Sequence, residues 1–285
     1  MISVSDSKPI KRLAFVVNQS KSGAPELLST LRAMAHDVGI ETCATNEFPV
    51  PHGYLEDQDA CCVIGGDGTF LSVAAESTRW QVPLIGVNRG TLGFLTTYSS
   101  EEIESIFPSI LQGDFQLNYR VLLECQTQED HSDYALNDVV IKSAAASRIV
   151  HVNVFANDEF VTTYVSDGLI FSTPTGSTAY TLSAGGPLVH PNSGVISLTP
   201  ICPHTLSNRS IIFPQEVTLR VENALPEEKL VVAVDGQRNL STLKDRPIEV
   251  RKADKNLPIV QRVDYSHFNV IRRKLKWSGG YAGEA

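Results

Sequence analysis

The sequence contains no apolar run near the roughly 20 residues that a membrane-spanning helix needs, and its N-terminus lacks the apolar core of a signal peptide. Its five cysteines are odd in number, two are adjacent, and no CxxC pair occurs. That pattern is poor for a disulfide framework or a zinc site, so it favours a reducing compartment. The histidines show no HExxH spacing. We therefore predict a cytoplasmic protein with no membrane partner and no resident metal site.

Basic residues are also few: 24 Lys and Arg stand against 32 Asp and Glu, which gives a net charge of −8. Non-specific nucleic-acid binding needs a basic face, so nucleic acid is not expected as a partner. The balance still allows a locally positive pocket for phosphate groups. The 42% of apolar residues is typical of a folded chain, and 285 residues are enough for about two domains.

Strand-like and helix-like segments alternate over the first hundred residues. Short apolar runs predict strands, and apolar residues spaced on one helical face predict the helices between them. The predicted strands are residues 12–18, 40–45, 60–64 and 83–87, and the predicted helices are residues 24–38 and 69–77. This alternation indicates a parallel sheet with helices on its faces, that is, an α/β domain.

From about Tyr119 the pattern changes to strand-like segments separated by turn residues. Asn157-Asp158 stands where a hairpin turn is expected. The segments are residues 119–127, 134–143, 148–157, 159–165, 217–223, 229–236, 247–253 and 258–263. This second region is predicted to be β-rich, and residues 101–115 are predicted to form a helical bridge into it.

A glycine-rich turn, Gly65-Gly66-Asp67-Gly68, follows the predicted strand 60–64 and precedes a predicted helix. Such a turn lets the backbone approach a phosphate group closely, with N–H groups and a helix N-terminus facing the anion. A carboxylate in its middle would repel phosphate, unless it meets a metal ion or a substrate hydroxyl. The alternative is a tight turn in which Asp67 only caps the helix. The nucleotide motifs GxxxxGK[ST] and GxGxxG are absent.

Residues 173–187 (TPTGSTAYTLSAGGP) gather six Ser or Thr hydroxyls around a glycine. These hydroxyls either line a nucleotide with directional hydrogen bonds or merely cap a short helix. Acidic and amide residues also cluster in the β-rich half. They form the pairs Asn137-Asp138, Asp167-Gly168 and Asp235-Gly236-Gln237. Each suits a ribose hydroxyl or an adenine edge, and each is also ordinary turn chemistry.

Two further polar residues are interpreted without a fixed role. His204 is taken as a hydrogen-bonded structural histidine. Arg148 is either a phosphate partner or a solvated strand residue. No GxSxG elbow of a serine hydrolase occurs.

Six segments together resemble one family in their order and approximate spacing. They are GGDGTFL (65–71), LGFL (92–95), ALND (135–138), DGLIFSTPTGSTAYTLSAGGP (167–187), PHTLSNR (203–209) and DGQ (235–237). On these segments, residues 40–280 resemble the bacterial NAD kinases. The glycine turn alone also occurs in diacylglycerol kinases, sphingosine kinases and phosphofructokinases, whereas the hydroxyl-rich segment is far more specific. Ser210 and Val165 depart from the family pattern, and Val165 leaves the preference between NAD and NADH open.

The resemblance implies an ATP-dependent enzyme that phosphorylates the 2′-hydroxyl of the adenosine ribose of NAD, giving NADP. Asp67 is then the acceptor of the hydroxyl proton, and a divalent metal ion, expected to be Mg²⁺, arrives with ATP. The implied NAD contacts lie in the glycine turn and in the β-rich half. They are Asp67, Gly68, Asn137, Asp138, Arg148, Asp167, Thr178, Ala179, Tyr180, Thr181, Leu182, Ser183 and Gln237.

The resemblance also implies a domain layout and an assembly. An α/β nucleotide-binding domain is expected over residues 1–98, and a β-rich NAD-binding domain over residues 99–266. Residues 267–285 are expected to return and pack on the first domain. Members of the family are usually homodimers or homotetramers, and a homotetramer is expected here.

Two alternative functions use the same residues. A lipid kinase of the diacylglycerol type shares the glycine turn, but it needs an apolar acceptor groove that the hydroxyl-rich segment does not favour. A non-catalytic dinucleotide sensor would need the pocket but no carboxylate beside the phosphates.

Overall fold

The structure is a computed structural model that describes residues 8–90, 93–128, 131–145, 149–205, 207–225, 227–243, 246–261 and 265–277. The chain forms two compact units. The first comprises Met1–Tyr119 and Pro258–Ala285, and the second comprises Arg120–Leu257. The last strand and helix of the chain therefore belong to the first unit.

Strands and helices alternate through the first part of the chain, as the sequence predicts. They are β1 (Arg12–Val17), α1 (Ala24–Asp37), β2 (Glu41–Thr45), β3 (Ala60–Gly65), α2 (Asp67–Trp80), β4 (Leu84–Asn88), α3 (Ser100–Leu111) and β5 (Gln116–Arg120). The start of α3 has a clear local cause. Ser99 accepts a hydrogen bond from the Glu102 backbone N–H, and the Glu102 carboxylate accepts one from the Ser99 N–H.

Strands dominate the rest of the chain. They are β6 (Leu123–Gln128), β7 (His131–Ala135), β8 (Asp138–Ser143), β9 (Val150–Ala156), β10 (Glu159–Ser166), β11 (Gly168–Ser172), β12 (Val195–Ile201), β13 (Ile211–Pro214), β14 (Leu219–Asn223), β15 (Leu230–Val234), β16 (Arg238–Leu240), β17 (Ile248–Lys252) and β18 (Leu257–Gln261). A 3₁₀ turn (Thr175–Thr178) and α4 (Tyr180–Ser183) lie between β11 and β12, and α5 (His267–Leu275) follows β18.

The first unit is built on a six-stranded sheet with the order β2-β1-β3-β4-β18-β5. The pairs β1–β2, β1–β3, β3–β4 and β4–β18 are parallel. Both β3 and β4 are buried along their whole length, which explains why their sequences are continuous apolar runs. The strand order reverses at β1, since β2 lies on one side of it and β3 on the other. In open α/β sheets, ligands bind outside the carboxyl ends of the strands at such a reversal.

The second unit contains two six-stranded sheets with the orders β10-β9-β14-β17-β6-β7 and β13-β12-β11-β8-β15-β16. Alternate residues of both sheets enter one apolar core, for example Val152 and Val154 of β9 and Leu169 and Phe171 of β11. The predicted hairpin is present: β9 and β10 pair in antiparallel fashion, with Glu159 opposite Ala156. Asn157 and Asp158, the two residues of the turn, both have positive φ. The predicted β-rich class of this region is therefore confirmed.

The segment predicted as one strand over residues 134–143 is two strands. β7 ends at Ala135 and β8 begins at Asp138, and these two strands lie in different sheets. The chain therefore turns a corner at Leu136 and Asn137 as it passes from one sheet to the other.

The observed units differ from the predicted boundaries at residues 98 and 266, since they meet at residues 119–120 and 257–258. The physical reason is strand pairing. Both β5 and β18 are strands of the first sheet, so they stay with the first unit together with α3, which precedes β5. The return of the C-terminal segment to the first unit agrees with the expected fold.

Within the described ranges, no helix combines the length and apolar character needed to cross a membrane. All five cysteines are free thiols. Burial raises the pKa of the Cys125 thiol to about 12, and it also raises the pKa of the thiols of Cys61 and Cys62. These three thiols are therefore held in the neutral, unreactive form.

Candidate functional site

The glycine turn joins β3 to α2 at the carboxyl edge of the first sheet. Gly66 is the N-cap of α2 in an extended conformation, and Asp67 is the first residue of the helix. The helix therefore begins two residues earlier than the predicted start at Thr69. Asp67 does not cap α2 with its side chain, so the helix-cap interpretation of this residue is wrong.

The Asp67 carboxylate instead binds the loop that follows β4. Its Oδ2 accepts a hydrogen bond from the Phe94 backbone N–H at 2.8 Å. Its Oδ1 accepts three, from the backbone N–H groups of Leu95 and Thr96 at 3.1 Å each and from the Thr96 hydroxyl at 3.0 Å. These partners fix the carboxylate in one orientation. They lie 27 to 29 residues away in sequence, so the sequence offered no signal for them.

The glycines around Asp67 divide into two kinds. A Cβ at Gly93 would overlap the Asp67 carboxylate, and a Cβ at Gly65 would lie 2.5 Å from the Thr69 hydroxyl, so the fold itself needs glycine at both positions. A Cβ at Gly66 or Gly68 would meet nothing within 4 Å. Glycine at these two positions therefore leaves open space beside the turn, which is what a closely approaching ligand requires.

Polar groups of the loop after β1 lie at the same edge of the sheet. The Asn18 amide donates to the Thr69 hydroxyl at 3.3 Å, which ties this loop to the start of α2. The Arg89 guanidinium donates to the Ser22 carbonyl oxygen through Nε at 3.0 Å and Nη2 at 2.6 Å. Lys21, in the same loop, is exposed. Two cationic side chains, those of Lys21 and Arg89, therefore lie in or against this loop.

In the second unit, the predicted Asn137-Asp138 pair occupies the corner between β7 and β8. The Asn137 carbonyl oxygen accepts hydrogen bonds from the Thr173 backbone N–H at 2.9 Å and from the Ser172 hydroxyl at 3.2 Å. A Cβ at Gly176 would overlap this same carbonyl group. The corner and the hydroxyl-rich segment are therefore packed backbone against backbone.

Asp138 is a buried carboxylate with 4% of its surface exposed. Burial and the neighbouring Asp235 charge raise its pKa from 3.8 to about 7, while the Tyr180 backbone N–H and the Lys142 charge oppose that rise. The Tyr180 N–H donates to this carboxylate, so the structure brings two predicted site residues, Asp138 and Tyr180, into contact.

The hydroxyls of residues 173–183 serve the loop itself more than the sequence indicated. Thr173 donates to the Leu136 carbonyl oxygen at 2.5 Å, and Thr178 donates to the Thr175 carbonyl oxygen at 3.2 Å. Thr181 differs, because its Oγ1 is buried and has no hydrogen-bond partner within the described ranges. A buried hydroxyl without a partner is unfavourable, so it marks a group that a ligand could satisfy.

Tyr180 has a cationic neighbour that the sequence gave no reason to select. The Lys142 ammonium lies 3.1 Å from the Tyr180 hydroxyl and 4.8 Å from the centre of its ring. Asp167, just before β11, is exposed and lies next to Gly168, which pairs with Lys142. Ser172, at the other end of β11, pairs with Asp138, so Asp167 lies about 17 Å along the strand from the Asn137 corner.

The remaining predicted contacts are less closely associated with this corner. Ala179, Leu182 and Ser183 lie in or next to α4, and Ser183 is exposed. Gln237 is exposed at the end of the turn between β15 and β16. Arg148 lies outside the described residues. Asp235, which the sequence suits either to a ribose hydroxyl or to a turn, has a side chain that is fully buried against the corner.

A separate cavity of about 620 Å³ lies in the second unit. Its apolar lining includes Val221, Leu230, Leu240 and Ile248, and its described lining residues contain none of the predicted site residues. We therefore do not assign the site to it.

The sequence and the fold both match proteins of one family. Residues 32–115 match the ATP-NAD kinase N-terminal domain, and residues 136–262 match the ATP-NAD kinase C-terminal domain. The NAD kinase of Tolumonas auensis is 39% identical over 265 residues, which cover 88% of this chain and 90% of that protein.

Two solved structures share the fold at lower identity. Yeast NADH kinase, complexed with NADH, superimposes with a TM-score of 0.87 at 22% identity, covering 100% of this chain and 95% of that one. The Archaeoglobus fulgidus NAD kinase, in complex with ATP, gives a TM-score of 0.79 at 24% identity over 94% and 100% of the two chains. The two matched domains span most of the sequence, and on that basis the chain belongs to the NAD kinase family.

Proposed function

We propose that this chain transfers the γ-phosphoryl group of ATP to the 2′-hydroxyl of the adenosine ribose of NAD and so forms NADP. Its family supports the reaction class, and its relatives include an NAD kinase, a kinase complexed with NADH and one in complex with ATP. The observation that carries the chemistry is the Asp67 carboxylate, which protein groups fix within a glycine turn.

Asp67 is proposed to accept the proton of the ribose hydroxyl through Oδ2. A carboxylate oxygen has about two acceptor sites, and Oδ2 takes one hydrogen bond from the described residues whereas Oδ1 takes three. A ribose hydroxyl is a poor nucleophile, so a fixed carboxylate that orients it and accepts its proton assists the attack. Phosphoryl transfer is dominated by charge and positioning, so this proton acceptor supplies only part of the acceleration.

ATP is proposed to approach the carboxyl edge of the first sheet at the reversal between β1 and β3. The open space beside Gly66 and Gly68 would admit its phosphates, and the cations Lys21 and Arg89 would balance their charge. No cluster of three or more His, Cys, Asp or Glu side chains suited to a metal occurs among the described residues. We propose that Mg²⁺ arrives with ATP as part of the MgATP substrate, where it would neutralise charge on the phosphates.

NAD is proposed to contact the second unit along β11 and the segment that follows it. Asn137, Asp138 and Tyr180 supply donors and acceptors near one end of this strand, and Asp167 supplies a carboxylate near the other. A dinucleotide is a long ligand, so a separation of about 17 Å between these groups suits it. Thr178, Ala179, Thr181, Leu182, Ser183 and Gln237 remain proposed contacts, as does Arg148.

One assay separates this function from the two alternatives. The chain is incubated with ATP, Mg²⁺ and NAD, and NADP is measured, with diacylglycerol and an NAD analogue lacking the adenosine 2′-hydroxyl as parallel acceptors. We expect NADP from NAD and no phosphorylation of the analogue or the lipid. Lipid phosphate without NADP would indicate a lipid kinase, and binding of NAD without turnover would indicate a sensor.

A homotetramer, or at least a homodimer, and a cytoplasmic location are also proposed. The edge strands β10 and β13 each expose a large apolar side chain, with Phe160 55% and Ile212 45% exposed. Edge strands with exposed apolar residues pair readily with other chains, so covering them by subunit contact supports an oligomer.

A further inference from the structure

The turn between β15 and β16 brings a buried carboxylate against the corner where Asn137 and Asp138 lie. Asp235 Oδ1 accepts hydrogen bonds from the backbone N–H groups of Asn137 at 2.7 Å and Asp138 at 3.2 Å. Its Oδ2 accepts one from the Leu136 N–H at 3.0 Å. The Asp235 side chain has 0% exposure. One carboxylate therefore binds three successive N–H groups at the point where the chain changes sheets.

We propose that Asp235 is a positioning residue: its buried carboxylate holds the backbone of residues 136–138 so that Asn137 and Asp138 meet NAD in a fixed orientation. The proposal rests on the proposed function. Asp235 itself would not touch the substrate, because its side chain is enclosed by the corner. It acts through the backbone of the two residues that do.

A simpler explanation is that Asp235 only forms the turn. Asp235 and Gly236 both have positive φ, and the Gln237 N–H donates to the Val234 carbonyl oxygen at 3.0 Å. Asp, Asn and Gly are the residues that tolerate positive φ best, so Asp-Gly suits this tight turn. Asn-Gly is favoured at least as strongly in the same turn, so Asn at position 235 would preserve the turn. Asn would not preserve the three-fold acceptor, because its amide nitrogen cannot accept from a backbone N–H.

The charges around the corner give the proposal a second consequence. Asp138 faces Asp235, Lys142 and the Tyr180 N–H, while Asp235 faces the Arg238 guanidinium at 3.9 Å as well as the corner N–H groups. Arg238 in turn donates to the Asp133 carboxylate at 2.7 Å. Burial raises the pKa of Asp235 against the effect of its N–H partners and Arg238. Removing the Asp235 charge therefore lowers the pKa of Asp138, whereas removing the Arg238 charge makes the carboxyl pair easier to protonate.

The test compares Asp235→Asn with Asp158→Asn as a matched control. Asp158 occupies the type I′ turn between β9 and β10, and its side chain is 90% exposed. For Asp235→Asn we expect the KM for NAD to rise roughly tenfold or more, because a hydrogen bond to a charged group is lost. The KM for ATP should stay within about threefold. The acid limb of the pH profile of kcat/KM for NAD, which in this proposal follows the ionisation of Asp138, should move to lower pH. Asp158→Asn should change none of these values.

Unchanged kinetics in a folded Asp235→Asn protein would leave Asp235 as a turn residue and overturn the proposal. If Asp235→Asn does not fold, Arg238→Gln replaces it, since this variant keeps the turn and the carboxylate. The acid limb should then move to higher pH, and an unmoved limb would also overturn the proposal. Faster amide exchange at residues 136–138 in Asp235→Asn than in Asp158→Asn is expected without any substrate. Because amide exchange needs no turnover, that comparison tests the positioning role even if the unaltered chain forms no NADP. Absence of NADP from the unaltered chain would instead contradict the proposed function.

Discussion

Replacing Gly68 with alanine separates the needs of the fold from the needs of a ligand. Gly68 is the second residue of α2, and its φ lies outside the positive range that disfavours other residues. A Cβ built there meets nothing within 4 Å, so the added methyl group creates no clash in the free protein. Alanine is also the better helix former, by roughly 0.5–1 kcal/mol in a helix interior.

We therefore expect Gly68→Ala to keep or increase the free energy of unfolding, by at most about 1 kcal/mol. In the proposed function, however, the methyl group occupies the space through which the nucleotide approaches the turn. A misfit of this kind typically costs about 1–3 kcal/mol, which corresponds to roughly a fivefold to 150-fold loss in kcat/KM. Stability and activity should thus change in opposite directions.

Urea unfolding and steady-state NADP formation measure the two effects on the same preparations. Gly93→Ala is the contrasting variant, because its methyl group would overlap the Asp67 carboxylate, so both stability and activity should fall. A Gly68→Ala protein with full activity would refute the inference that the open space at this turn serves a ligand. A marked loss of stability in Gly68→Ala would refute the structural half of the argument.

Three further outcomes are expected. The folded-state pKa of Asp138 is raised from 3.8 to about 7, so the free energy of unfolding should fall by up to about 4 kcal/mol as pH rises through that window. Asp138→Asn should remove this fall when urea unfolding is compared at pH 5 and pH 8. Equal pH dependence in both proteins would contradict the prediction. Thr181→Val should stabilise the free protein by about 1–3 kcal/mol, because the buried Thr181 hydroxyl has no partner within the described ranges. The same variant should bind NAD more weakly in calorimetry. A destabilised protein would show that the hydroxyl is satisfied. Light scattering should give two or four times the 31.1 kDa of one chain, and a stable monomer would contradict the proposed assembly.

Local patterns in the sequence were enough to predict the α/β and β-rich halves. The buried strands β3 and β4 are continuous apolar runs, and β9 alternates, so their periodicity reports their surroundings directly. The glycine turn was also identified, because glycine next to a strand end is a local signal. The boundary between the units was not, since it depends on β5 and β18 joining the first sheet, and pairing partners leave no mark on local periodicity.

The candidate site shows the same limit more sharply. Asp67 was selected from its motif, yet its three backbone donors come from a loop about 30 residues away, which no spacing rule connects to it. The sequence suits Asp235 to a ribose hydroxyl or to a turn, but it does not reveal the partners of its carboxylate at 136–138, which lie nearly 100 residues earlier. The sequence leaves the hydroxyls of residues 173–183 open between a ligand and the protein itself, and in the structure Thr173 and Thr178 donate to backbone carbonyls of the protein. Local chemistry selects a residue, and only the folded chain reveals its partner.

The central chemical claim is that phosphoryl transfer depends on the Asp67 carboxylate as a proton acceptor and not merely on its hold over the 94–96 loop. The most direct test measures kcat for Asp67→Asn beside Thr96→Val, which removes one hydrogen bond to Oδ1 and leaves Oδ2 unaltered. Asp67→Asn should lower kcat by roughly 10² to 10⁴, the usual range for losing a general base. Thr96→Val should lower it less than about tenfold, the effect expected of one hydrogen bond. Similar losses in both variants, or near-normal turnover in a folded Asp67→Asn protein, would contradict the claim.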